Sequence, residues 1–220
     1  MIQQKTLRQA LSDPNLLGQA LAGDTWASWR TLLLAIAGEP LHPDELATFT
    51  KLTGRVTPPT SWAKEFWGVV GRRGGKSRAM GILSAYLATL CKFPMLARGE
   101  RGVVLIIANN QQQASGILGY AYGALEESPI LSQSIVRKTT DLIELKGNIF
   151  IQVRAASFRG LRGATLVAAL LDEIAFFMPD ESSSNPDTEI VGAVKPALDA
   201  RPIDGDKQSL CAQGRAMGSL

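Results

Sequence analysis

The chain has 220 residues, 45% of them hydrophobic, and a formal charge of 23 minus 20, or +3. That length and apolar content hold one large domain, or a domain with a small appendage, around a buried core, and they exclude a disordered chain. A single histidine, His42, and two cysteines, Cys91 and Cys211, leave no Ser-His-Asp or Cys-His site, no His-based metal site and no disulfide framework.

At the N-terminus, MIQQKTLRQALSDPN is too polar for a secretory signal. The longest fully apolar run, about eight residues, is far short of the roughly twenty that cross a bilayer. With two unpaired cysteines as well, the expectation is a soluble protein of a reducing cytosol, with no membrane partner. Residues 1–58 read as short helices, a small N-terminal helical segment. In DTWASWRTLLLAIAG, Asp24 is the N-cap, the apolar positions recur at helical spacing and Gly38 is the stop. HPDELATFTKLTG gives a second helix, with Pro43 in its first turn and Gly54 past its end. The PPT at 58–60 is punctuation, and a boundary is placed there, with residues 59–220 as the main domain.

Beyond the boundary the character changes. Trp67 to Val70 is a short strand candidate, and Lys76 to Leu90 a helix. GVVLIIAN, 102–109, is a continuous β-branched apolar run, the mark of a strand covered on both faces. QQASGILGYAYGALEES follows as a helix weakened by glycine. DLIELKGNIFIQV alternates around Gly147-Asn148 and reads as a hairpin. ATLVAALLDE, 164–173, is another buried strand, ending in two carboxylates. Strand, helix, strand, helix, hairpin, strand predicts an α/β fold, with helices on both faces of a mainly parallel sheet.

Within VVGRRGGKSRA the five residues RRGGK pack two arginines, two glycines and a lysine into one turn between strand candidate and helix, where like charges repel unless an anion sits among them. Backbone N–H groups at a helix N-terminus attract phosphate, and glycines let the loop approach it closely. A lysine followed by a hydroxyl, here Lys76 and Ser77, supplies a phosphate-binding ammonium and a Mg²⁺ ligand. The pattern G-x-x-x-x-G-K-[ST] is not fully met, because its first glycine falls on Val70 and Gly71 comes one residue late. Ninety-six residues after Lys76, Asp172 and Glu173 close a buried strand. Ligands of open α/β sheets sit at the carboxyl ends of strands, so both signals fall on one edge. An ATP hydrolase needs an acid to hold Mg²⁺, here Asp172, and a carboxylate to orient or deprotonate water, here Glu173. The bland readings are a basic surface turn for the loop, and a cap and a solvated charge for the two acids.

Three segments together resemble one family: FTKLTGR with PPTSWAKEFWGVVGRRGGKSRAMGILSAYLA, then VVLIIANNQQQASGIL, then ASFRGLRGATLVAALLDEIAFF. In that order they are similar to the ATPase half of the large terminase subunit, the DNA-packaging motor of tailed double-stranded DNA bacteriophages. The resemblance spans roughly residues 45–200 and implies a P-loop NTPase-type fold, ATP and Mg²⁺ as cofactors, and double-stranded DNA, a portal protein and a small terminase subunit as partners. It further implies a homo-oligomeric ring working in the host cytoplasm. The family's phosphate loop typically lacks the first glycine and contains an arginine. By resemblance, Gly71, Arg72, Arg73, Gly74, Gly75, Lys76 and Ser77 hold the phosphates, Ser77 and Asp172 hold Mg²⁺, and Glu173 is catalytic. Arg72 resembles the arginine that senses the γ-phosphate. Arg162, eleven residues before Glu173, resembles the arginine offered to a neighbour's ATP. Arg159 and Arg162 read equally as a solvated turn or as contacts to DNA phosphates, and Arg73 and Arg78 as facing DNA or solvent. Thr53, Arg55 and the Trp62 region are adenine candidates by position, and the four tryptophans read as core rather than base-stacking groups.

Two departures stand beside the resemblance. KQSLCA, 207–212, is a candidate next strand, but no coupling motif follows, and the residues left cannot form a nuclease domain. The expectation is a truncated motor module without DNA cleavage. The alternatives are another P-loop ATPase or helicase-like translocase, and a remnant that binds nucleotide without turnover.

Overall fold

The structure, a computed structural model, describes residues 2–156, 165–174, 191, 192, 194 and 198. Strand β1 (Ile2–Gln3) and helices α1 (Leu7–Ser12), α2 (Ala27–Ile36) and α3 (Pro43–Thr53) come first. Then follow α4 (Lys76–Leu90), β2 (Cys91–Lys92), β3 (Gly102–Ala108), α5 (Gln111–Glu127), β4 (Ile135–Lys138), β5 (Leu142–Leu145), β6 (Ile149–Ala155) and β7 (Thr165–Leu171).

Local chemistry accounts for the helix ends. Thr6 caps α1: its hydroxyl accepts from Gln9 N at 3.1 Å while the Gln9 side chain accepts from Thr6 N at 3.0 Å. Asp24 does not cap α2: it opens a single 3₁₀ turn, Asp24–Trp26, and Trp26 stands at the N-cap position of α2 without a side-chain bond, while Gly38 ends that helix region at φ 68°. Pro43 begins α3 and Gly54, at φ 70°, closes it. Arg8 reaches from α1 to Glu45 of α3 with two bonds of 2.8 and 2.7 Å, a fork geometry that fixes one helix against the other.

The main sheet has five strands in the order β4-β5-β6-β3-β7. β3 lies parallel to both β6 and β7, while the β4–β5 and β5–β6 pairs are antiparallel. All seven residues of β3 are buried, because its two neighbours and both sheet faces are covered. Val104, Ile106 and Ala108 face the cluster built with α4 and α5, and Val103, Leu105 and Ile107 face a second cluster that includes Val194 and Leu198. Eleven of the fifteen residues of α4 are buried, so it is an inner helix rather than a surface one. It meets α5 at Gly81, where a β-carbon would come within 2.7 Å of Tyr120 Cβ and 2.9 Å of the Ile117 carbonyl oxygen. Only glycine permits that approach.

The predicted hairpin is present, with Gly147 at φ 84° and Asn148 at φ 62° turning β5 into β6. Two strand details also differ from the sequence reading. β4 pairs with β5 although Ile135–Lys138 carries no buried face to announce it. Trp67 to Val70 forms no strand: no described strand pairs with it, and Trp67 and Val69 are 45% and 66% exposed. A β-branched run has the propensity, but a strand exists only through a ladder partner.

Among the described residues no helix is long and apolar enough to cross a membrane. Burial pushes the Cys91 thiol up to about 12, which keeps it protonated and unreactive.

Candidate functional site

β7 delivers its two carboxylates at the carboxyl end of the parallel strands. Asp172 N still donates to the Ile107 carbonyl at 2.7 Å, so the β3–β7 ladder holds that backbone one residue past the strand. The next residue, Glu173, takes φ 54°, a left-handed conformation uncommon outside glycine. Such strain persists where surrounding contacts impose it, and it concentrates at functional sites.

Across from them stands the loop ahead of α4. Arg73 at φ 60° and Gly75 at φ 78° bracket Gly74, whose N–H reaches back to the Gly71 carbonyl at 3.2 Å. Gly75 is the N-cap of α4, and Lys76 is the first helical residue. From there the Lys76 ammonium lies 2.7 Å from Asp172 Oδ1 and 3.6 Å from Glu173 Oε1. The shorter contact is an ion pair rather than an aligned hydrogen bond. The Asp172 and Lys76 side chains are only 6% and 14% exposed, so this charge pair is largely withdrawn from water. Burial raises the Asp172 carboxyl above the ordinary range, and Lys76 pulls it back down.

The residues singled out in the sequence converge. Gly71 through Ser77 and Glu173 line one cavity of about 650 Å³, and Asp172 is buried beside it against Lys76. Arg72 and Arg73 line the same cavity and pair with no carboxylate among the described residues. Arg78 lines this cavity too, with its guanidinium 4.8 Å over the Trp26 ring and its Nε donating to the Ala20 carbonyl at 2.8 Å. Arg159, Arg162 and the 207–212 run lie outside the described residues. The adenine candidates do not line the cavity: Thr53 bonds the Phe49 carbonyl, and Trp62 stacks on Tyr86 at 6.2 Å.

Sequence reasoning missed other groups here. Gln113, in the first turn of α5, donates from Nε2 to Glu173 Oε2 at 3.2 Å. Asn110 caps α5, accepting from Gln113 N at 2.9 Å, and so sets where that glutamine stands. The signal was available, since polar residues directly after the buried strand GVVLIIAN fall on the same carboxyl edge as Asp172. Of the tryptophans read as core, Trp26 and Trp62 pack against it and Trp67 is exposed, and Trp26 lines the cavity as well, with Tyr120.

No protein-family model matches the chain, and no curated protein sequence matches it. Solved structures do. The large terminase ATPase domain of Thermus phage P74-26 superposes with a TM-score of 0.51 at 21% identity, over 85% of this chain and 70% of that one. The large terminase of bacteriophage HK97 superposes with a TM-score of 0.54 at 15% identity, over 86% of this chain. The chain shares its fold with phage large terminase ATPase domains. It spans 38% of the length of the HK97 chain. At these identities the likeness establishes architecture, a mostly parallel five-stranded sheet flanked by helices with a small helical segment in front.

Proposed function

We propose that this chain is a Mg²⁺-dependent ATP-hydrolysing module of a DNA-packaging motor, with the cavity between the Gly71–Ser77 loop and the end of β7 as its nucleotide site. The observation that carries the reading is the meeting of Lys76, Asp172 and Glu173 within 2.7 and 3.6 Å at the carboxyl ends of two parallel strands. A triphosphate carries more negative charge than two carboxylates, so it draws the Lys76 ammonium onto its terminal phosphates, with Arg72 beside it. The Asp172 carboxylate released by that transfer, with the Ser77 hydroxyl, offers hard oxygen ligands that suit Mg²⁺. Bound there, Mg²⁺ neutralises charge on the phosphates. Glu173, steered by Gln113, orients the attacking water and accepts its proton at a carboxylate oxygen.

The larger assignment follows the fold likeness: translocation of double-stranded DNA by a ring of such chains, docked on a portal with a small terminase subunit. In such a ring Arg162 serves the neighbour's site, a role worth about 10³- to 10⁵-fold in rate. The test begins with Mg²⁺-dependent ATP hydrolysis by the purified chain, with and without duplex DNA. Lys76→Ala is expected to lose nucleotide binding while remaining folded. Glu173→Gln is expected to bind ATP but hydrolyse it about a hundredfold or more slowly. Mixing Arg162→Ala with Glu173→Gln restores some activity if the site is shared between chains. Unchanged hydrolysis in Lys76→Ala would sink the phosphate-loop assignment.

A further inference from the structure

The phosphate loop does not hold its shape by its own bonds alone. Trp29 of α2, 45 residues upstream, donates its indole N–H to the Gly74 carbonyl at 2.6 Å. Its neighbour Trp26 presses the edge of its ring against Gly75. A β-carbon at 75 would lie 2.7 Å from Trp26 Cζ3 and 2.9 Å from Cη2, so glycine is required there by space as well as by φ. From the helix side, Arg78 covers the Trp26 ring at 4.8 Å and bonds the Ala20 carbonyl at 2.8 Å. The tryptophans have a fixed base in turn, because Arg30 Nη1 bonds the Leu21 and Gly23 carbonyls at 2.6 and 2.7 Å.

The geometry has a consequence at the site. A peptide unit is planar and trans, so its carbonyl and its N–H point in opposite directions. Fixing the Gly74 carbonyl on Trp29 therefore fixes the direction of the Gly75 N–H, away from the indole. An anion in a loop of this kind is bound by backbone N–H groups whose directions must be set before it arrives.

We propose that Trp29 is a positioning residue for the phosphate loop, which makes the N-terminal helical segment a working part of the anion site rather than an appendage. The bond of Trp29 to Gly74 holds the Gly74–Gly75 peptide in its anion-receiving direction, and Trp26 backs Gly75 against rotation. The brace stands on geometry alone. Only the identity of its ligand rests on the nucleotide reading given above.

Trp29→Phe removes the N–H and keeps an aromatic ring, and Trp67→Phe makes the same change at an exposed indole that bonds Glu65. Thermal melts accompany both, so that a loss of fold is seen as such. The first arm needs no nucleotide: native-state trypsin cleavage after Arg72 and Arg73, followed by mass spectrometry. Cleavage at this loop is expected to quicken severalfold in Trp29→Phe and to stay at the parent rate in Trp67→Phe. The second arm is the Kd for MgATP by calorimetry, expected to rise about five- to tenfold in Trp29→Phe. Loop cleavage at the parent rate overturns the brace. So does an unchanged Kd in a variant of a parent that binds MgATP. Faster cleavage in a protein that binds no MgATP supports the brace and removes the nucleotide reading instead.

Discussion

The turn between β5 and β6 and the loop ahead of α4 each place two residues at positive φ: Gly147 at 84° and Asn148 at 62°, Arg73 at 60° and Gly75 at 78°. In the hairpin the residue types agree with the backbone, because glycine and asparagine enter the left-handed region at little cost. Asn148 also uses its amide, donating to the Gly99 and Glu100 carbonyls at 2.9 and 2.8 Å. In the loop, an arginine takes the conformation that asparagine takes in the hairpin. The residues that follow it are held from outside the loop, Gly74 by Trp29, Gly75 by Trp26 and Lys76 by the carboxylates at the end of β7. A turn that only reverses the chain selects residues for their backbone preferences. A turn that serves as the proposed anion site selects them for charge, and the surrounding fold supplies the constraint.

Removing an outside support should give the largest effect. Lys76→Met leaves Asp172 buried without its cation, at a cost of about 3 kcal/mol near neutral pH. The sign of the pH dependence follows from the carboxyl being raised by burial and lowered by Lys76. Without Lys76 it rises further, so the folded protein keeps a proton that the unfolded chain releases. The gap between parent and variant therefore opens as pH rises through the parent's folded value, already above the ordinary one, and widens up to the variant's higher value. Denaturant melts of parent and variant should differ most at about pH 7 to 8 and converge toward about pH 4. A gap independent of pH would break the link to Asp172.

The glycines should separate next. Gly75→Ala meets both a left-handed φ and the Trp26 ring, and is expected to destabilise by about 2 to 3 kcal/mol. Gly147→Ala meets only the φ, with nothing within 4 Å of its new methyl, and should cost about 1 kcal/mol. The smallest effect is the most discriminating, since the same substitution is expected to act with opposite sign in the two turns. Asn148→Gly loses two hydrogen bonds and destabilises by about 1 kcal/mol. Arg73→Gly relieves the backbone and stabilises by about 0.5 kcal/mol, while weakening nucleotide binding. Equal shifts for the two variants would show that the turns are held alike.

Much of this could be read from the sequence because it is local or periodic. The continuous apolar run of β3, the Gly147-Asn148 turn and the glycines closing α2 and α3 each carry their signal within a few residues. So does the pairing of a glycine-rich basic turn with two acids at the end of a buried strand, which placed Lys76, Asp172 and Glu173 on one edge. What escaped is what depends on a distant partner. Trp67 to Val70 has strand composition but no described neighbour to pair with. β4 has little pattern and pairs because β5 is there. Trp29 looks like one more apolar position of an amphipathic helix until Gly74 is seen beneath its N–H.

Gly81 carries a mechanical implication. Lys76 and Gln113 each stand in the first turn of a helix starting at the same edge of the sheet, and the two helices touch where Gly81 meets Ile117 and Tyr120. Counted at 1.5 Å per residue, the contact lies about 7 Å below Lys76 and about 6 to 10 Å below Gln113. It thus acts as the pivot of a pair of tongs, whose tips hold the ammonium and the amide on either side of Glu173. One methyl group at position 81 would wedge the arms apart and widen the grip on Glu173, without touching a single charged group.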